Sequence, residues 1–100
     1  MRDKTYIKLI ITCVNTIQWS TKAVRQLRKI GDQVKRQSIF TEVQQLADWP
    51  HCTGDIKRLR GRNDYRLRVG NYRIIFEIDQ SGMPIIITIT HVEKRSERTY

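Results

Sequence analysis

The chain has 100 residues, enough for one domain with a modest two-layer core and too few for two. Lys plus Arg is 19 against 10 for Asp plus Glu, and the resulting net charge of +9 suits nucleic acid, an anionic membrane surface or an acidic protein partner. No apolar run reaches transmembrane length, no signal-peptide cleavage site is visible, and Cys13 and Cys52 lack metal-ligand spacing. A membrane span, a secreted disulfide scaffold and a metal centre are therefore set aside for a cytoplasmic protein with free thiols, with one Cys13–Cys52 disulfide as the less favoured alternative.

Met1–Thr5 is polar, and Tyr6–Trp19 carries a run of apolar residues. Thr16–Trp19 alternates and reads as a short strand. The residues before it either extend that strand or form another, and the pattern leaves both open. Ser20 and Thr21 are capping types. Ala23, Val24, Leu27 and Ile30 then follow at helical spacing, with basic residues between them. Gly31 is expected to end this helix and Asp32 to cap the next. The second helix runs to about Ala47 on a stripe of Ile39, Phe40, Val43, Leu46 and Ala47, with Val34 off the stripe and expected to pack locally near Ile30. Pro50 ends it. Asp48–Gly54 reads as loop, Gln80–Pro84 as a turn, Ile85–His91 as a branched central strand, and Val92–Tyr100 as a charged tail.

Asp64–Asp79 is the most regular stretch. Tyr65, Leu67 and Val69 interleave with Arg66 and Arg68, and Tyr72, Ile74, Phe76 and Ile78 interleave with Arg73, Ile75 and Glu77. Gly70-Asn71 between the two runs suits a tight hairpin turn with positive φ at the glycine. A two-residue loop puts Arg68 opposite Arg73, Arg66 opposite Ile75 and Asp64 opposite Glu77. Arg66, Arg68, Arg73 and Glu77 then share one face, and Tyr65, Leu67, Tyr72, Ile74, Phe76 and Ile78 the other. Arg68 against Arg73 is a like-charge pair, unfavourable unless an anion lies between them, and guanidinium forks take phosphate oxygens two at a time. Lys57–Arg73 holds seven basic residues and one acidic one. The element order is strand, two helices, three strands: an α+β fold with a helix hairpin on one face of a small, largely antiparallel sheet (β-α-α-β-β-β).

Leu59-Arg60-Gly61, then Tyr65–Phe76, then a branched strand and a basic tail ending in Tyr, resemble the RelE/ParE superfamily of bacterial type II toxins. The resemblance covers roughly Thr16–Tyr100, making 16–100 one RelE-like domain and 1–15 an N-terminal extension. It implies a cytoplasmic toxin neutralised by a cognate antitoxin protein. In the RelE branch such a toxin is a metal-independent endoribonuclease that cuts messenger RNA in the ribosomal A site, with no small-molecule cofactor and no membrane partner. In the ParE branch it inhibits DNA gyrase. The RelE active-site positions correspond to Arg66 and Arg68, to Arg73, and to Arg95 and Tyr100. The Arg95–Tyr100 spacing is one residue shorter than in the best-known member, and Lys94 can stand in for Arg95.

Cleavage by 2′-hydroxyl attack on the neighbouring phosphate needs a proton acceptor, charge stabilisation and a donor to the leaving oxygen. Arg68 and Arg73 suit the phosphate, Arg95 the phosphate or the leaving group, and Tyr100 a stacked base. Arginine stays charged, so the acceptor falls to Glu77 or His91. A glutamate on an arginine face more often forms an ion pair, and a histidine at a strand end is more often structural. Lys57, Arg58, Arg60 and Arg62, with Lys94, form a run suited to docking on ribosomal RNA. A gyrase-directed toxin and a non-toxic basic module are the competing classes.

Overall fold

The computed structural model describes residues 15–59 and 63–95. The expectations for residues 1–14, Cys13, Arg60, Arg62 and Tyr100 lie outside the described residues. The elements are β1 (Thr16–Trp19), α1 (Thr21–Arg28), α2 (Gln33–Gln44) continued by a 3₁₀ turn (Gln45–Asp48), β2 (Asp55–Arg58), β3 (Asp64–Val69), β4 (Tyr72–Asp79) and β5 (Ile86–Lys94). The sheet order is β1-β5-β4-β3-β2, with β1 parallel to β5 and every other pair antiparallel. This is the expected α+β arrangement with one strand more. The pattern predicts no strand at Asp55–Arg58, where Ile56 is the one apolar residue before the basic Lys57 and Arg58. The segment pairs along β3 from Arg68 to Tyr65 and becomes an edge strand.

Both helices start where their caps predict. The Ser20 hydroxyl accepts from the Ala23 amide at 3.0 Å, and Asp32 Oδ1 accepts from the Val34 and Lys35 amides at 2.9 and 3.3 Å. The end of α1 differs from expectation: the helix stops at Arg28, and Gly31 is not among the glycines at positive φ. The chain turns early because Ile30 is buried in the core, its carbonyl held by the Arg36 guanidinium. Val34 does not pack near Ile30 and is 76% exposed, since it faces solvent on the first turn of α2. Phe40 stays partly exposed and stacks on Trp19, ring centres 6.2 Å apart.

The core lies between the helices and one face of the sheet. Ala23, Ile30, Ile39, Val43 and Leu46 meet Leu67, Ile74, Phe76, Ile87, Ile89 and Val92. Half-buried Cys52 packs against this cluster, and burial pushes its thiol up, which disfavours the nucleophilic thiolate. Asn15 ties the entry to β1 by donating its side-chain amide to the Leu46 and Trp49 carbonyls at 3.2 and 2.9 Å. No helix among the described residues is long and apolar enough to cross a membrane.

Gly54, just before β2, sits at φ +128, where a Cβ would meet Leu67 Cδ1 at 3.2 Å. The backbone region strains any residue with a side chain, and the Leu67 methyl would have to shift by a few tenths of an ångström to admit one. Gly54→Ala is expected to lower stability by about 1–3 kcal/mol in urea denaturation. An unchanged midpoint would contradict the strain.

β5 carries the irregularity that matters most. Ile75 pairs with His91 but Phe76 pairs with Ile89, so Thr90 is an extra residue on β5. Strict alternation from Ile87 and Ile89 would turn His91 and Glu93 into the core. The bulge reverses the parity, burying Val92 and placing His91 and Glu93 on the outer face. Surrounding groups satisfy the displaced backbone: the Val92 amide donates to Gln26 Oε1 at 2.7 Å, and the Ser20 hydroxyl donates to the Thr90 carbonyl at 3.2 Å. The Thr90 hydroxyl donates to the Ile75 carbonyl at 3.2 Å. β5 also continues three residues into the stretch expected as tail, because β4 offers partners as far as Tyr72, opposite Lys94.

Candidate active face

The hairpin has the register its alternation predicts. Arg68 pairs with Arg73, Arg66 with Ile75 and Asp64 with Glu77, around a turn with Gly70 at φ +58. The strands on either side extend these pairs into rows across the face away from the helices. One row reads Asp55, Arg68, Arg73, Glu93, and the next reads Lys57, Arg66, Ile75, His91. Among the described residues, no helix covers this face.

The like-charge pair at the centre is relieved from its flanks. Among the described residues no carboxylate lies between Arg68 and Arg73. Arg68 Nη1 lies 3.4 Å from Asp55 Oδ2 on β2, and Arg73 Nη2 lies 3.6 Å from Glu93 Oε1 on β5. The row therefore runs minus, plus, plus, minus, with the two cations adjacent at its middle. Arg68 and Arg73 are 41% and 49% exposed, so both forks are open to a ligand. Arg66 is different. Its Nη1 donates at 3.1 Å to both the carbonyl and Oδ1 of Asp55, and only 12% of its side chain is exposed. It anchors the row more than it faces solvent.

Arg95 joins this end of the face. Its amide donates to the Asn71 carbonyl at 2.6 Å, and its Nη1 lies 3.5 Å from the Gly70 carbonyl. Lys94 pairs with Tyr72 and falls on the helix side of the sheet by alternation, away from the arginines. Lys57 lies opposite Arg66 on the outer face, and exposed Arg58 donates to Asn63 Oδ1 at 3.3 Å.

The two candidate proton acceptors separate. His91 is opposite Ile75, two residues along β4 from Arg73 and in the row beside it, with Nδ1 3.0 Å from the Thr90 hydroxyl. Glu77 is four residues from Arg73 on the same strand, about 13 Å away at the usual rise. It lines a different hollow of about 590 Å³ with Gln18, Asp64, Asp79 and Thr88. The structure thus puts Arg66, Arg68, Arg73 and Arg95 at one end of the face, His91 in the row beside Arg73, and Glu77 at the acidic end.

Two carboxylates organise the cluster, and sequence reasoning gave neither a role. Asp55 preceded the recognised hairpin, and Glu93 lay in the stretch read as tail. The signal for them was the unfavourable Arg68–Arg73 pairing itself, which calls for anions on the neighbouring strands. The hydrogen bond from Arg66, with the attraction of Arg66, Arg68 and Arg95, holds the Asp55 carboxyl below the usual carboxylate range, only partly opposed by desolvation. A depressed pKa stabilises the fold above the unfolded-state value, and that contribution is lost as pH falls through the folded-state value. In a ¹³C NMR titration Asp55 is expected to protonate below the ordinary aspartate value, and the stability gap between the wild type and Asp55→Asn to close over the same acid range. Titration of Asp55 at or above the ordinary value would show the pairings absent in solution.

Comparison with known proteins agrees with this architecture. A chain of the toxin-antitoxin complex RelBE2 from Mycobacterium tuberculosis is 23% identical, with a TM-score of 0.64 over 82% of this chain and 99% of that one. A chain of the RelB-RelE antitoxin-toxin complex from Methanococcus jannaschii is 25% identical, with a TM-score of 0.63 over 77% and 88%. The YoeB/ParE toxin from Agrobacterium tumefaciens is 13% identical, with a TM-score of 0.66 over 81% and 99%. A search of curated proteins gives no match. The family model for the ParE toxin of the type II toxin-antitoxin system parDE matches residues 17–98. The chain therefore belongs to the ParE toxin family, within the RelE/ParE superfamily, as the toxin of a type II toxin-antitoxin system.

Proposed function

We propose that this toxin is a ribosome-dependent endoribonuclease that cleaves messenger RNA in the A site. The observation that carries the reading is the outer row in which Arg68 and Arg73 stand side by side, open to solvent, with His91 in the adjacent row. The 2′-oxygen attacks the adjacent phosphorus, the 5′-oxygen of the next nucleotide leaves, and the products end in a 2′,3′-cyclic phosphate and a 5′-hydroxyl. Arg68 and Arg73 bind the non-bridging oxygens as charge builds on them. His91 accepts the 2′-hydroxyl proton. Arg95, at the same end of the face, offsets the charge on the leaving oxygen, and solvent water gives the proton that completes the 5′-hydroxyl. Tyr100 stacks on a base of the substrate. Lys57, Arg58, Arg60 and Arg62 dock the protein on ribosomal RNA, whose phosphates match the excess positive charge. The partner that silences the toxin is a cognate antitoxin, as in the two complexes to which the fold is similar.

A gyrase-directed toxin is the second reading, favoured by the ParE description of the matching family. It needs no phosphate site and no proton acceptor. Induced cells separate the two: primer extension on messenger RNA reads the first activity and plasmid supercoiling the second. New 5′ ends at codon positions with unchanged supercoiling support the ribonuclease. Intact messenger with altered supercoiling assigns the chain to gyrase.

A further inference from the structure

The geometry points to Asp55 as the positioning residue of the anion site, the one side chain among the described residues that holds both Arg66 and Arg68, so that Arg68 and Arg73 present two open forks to a single phosphate. This rests on the reading above that the arginine row takes an RNA phosphate.

Asp55 is the first residue of an edge strand and lies directly opposite Arg68. It uses three acceptors at once. The carbonyl and Oδ1 take Arg66 Nη1, each at 3.1 Å, and Oδ2 takes Arg68 Nη1 at 3.4 Å. The backbone that brings it there is also constrained, because Gly54 lies at φ +128, close against Leu67, where a side chain would be strained. Arg66 is thereby withdrawn from solvent, while Arg68 is drawn toward β2 with its fork still open. Glu93 draws Arg73 the other way, more loosely at 3.6 Å. Without Asp55, Arg66 and Arg68 repel each other and Arg95, and Arg68 is also repelled by Arg73 on the neighbouring strand, with no carboxylate to orient them. A long, flexible cation then samples many rotamers, and a misplacement of about 1 Å in a reacting group costs on the order of a hundredfold in rate.

Asp55 as a mere surface counter-ion makes the opposite prediction. Its removal raises the net charge by one and strengthens binding of any RNA. As a positioning residue, its removal lowers the reaction rate even while nonspecific RNA affinity rises.

The test uses the full chain with Asp55→Ala, Asp55→Asn and Asp55→Glu, each checked for the wild-type circular dichroism spectrum. Inorganic phosphate is titrated while the Arg Nε–H signals of Arg68 and Arg73 are followed by NMR, and kcat and KM are measured separately on messenger bound to ribosomes. Asp55→Ala is expected to lose the phosphate response of Arg68 and to drop kcat by ten- to a hundredfold with KM unchanged or lower. Asp55→Asn, which keeps the acceptor for Arg66 and loses the charge, falls between, and Asp55→Glu restores part of the response. If Asp55→Ala does not fold, the Asp55→Asn comparison decides. A wild-type phosphate response and kcat in the Ala or Asn variant, or a change in KM alone, overturns the inference, as does a wild type that gives no arginine response to phosphate. If wild-type arginines respond, the variants do not, and messenger is never cut, Asp55 keeps its role and the ribonuclease reading is the one that fails.

Discussion

Arg73→Ala is expected to abolish messenger cleavage and relieve growth arrest while leaving the protein folded and able to bind its antitoxin. Arg73 sits on β4, at the centre of the sheet, where hydrogen-bonded neighbours on both sides hold its backbone. Its guanidinium is half exposed and has only the loose contact to Glu93 to give up when a phosphate arrives. A donor carried on a rigid strand is better placed to meet developing charge than one carried on the tail. Loss of one such donor costs about 3 kcal/mol, or on the order of a hundredfold or more in rate. Arg58→Ala, in the docking run on edge strand β2, is expected instead to lower affinity by a modest amount that shrinks as salt rises. Primer extension from cells expressing each variant reads both effects. Undiminished cleavage by Arg73→Ala would remove the arginine row from the mechanism.

On the opposite face of the same strand, Phe76→Ala is expected to cost about 3–5 kcal/mol of stability, a large share of what a domain of this size holds. Phe76 is fully buried and stacks on Tyr65, ring centres 5.5 Å apart and planes 15° from parallel. It also faces Ile89 across the sheet at the start of the bulge. The cavity would therefore open beneath the residues that turn His91 outward. Urea denaturation with circular dichroism measures the loss, and a change below about 1 kcal/mol would mean that the core is not packed around this ring.

The hairpin was legible down to its pairings because two period-two runs around Gly-Asn admit one register that puts every apolar residue but Ile75 on one side. The helix starts were legible for an equally local reason, since Ser20 and Asp32 cap their own helices. What stayed hidden depends on partners distant in sequence. β2 holds one apolar residue, Ile56, and becomes a strand only because the edge of β3 is there to pair with. The bulge at Thr90 left a faint trace in the spacing of Ile87, Ile89 and Val92, where the alternation slips by one. It determines that His91 shares a face with the arginines. Asp55 and Glu93 escaped for the same reason: their roles come from lying beside Arg68 and Arg73 in space, across strands 13 and 20 residues away along the chain.

The most direct test of the central claim adds the purified toxin to ribosomes stalled with an open A site on a defined messenger, and analyses the RNA ends. A cut is expected within the A-site codon that leaves a 2′,3′-cyclic phosphate and a 5′-hydroxyl, appears only when ribosomes are present, and is lost with Arg73→Ala. Messenger that remains intact on the ribosome, while the same preparation blocks supercoiling by gyrase, would contradict that claim.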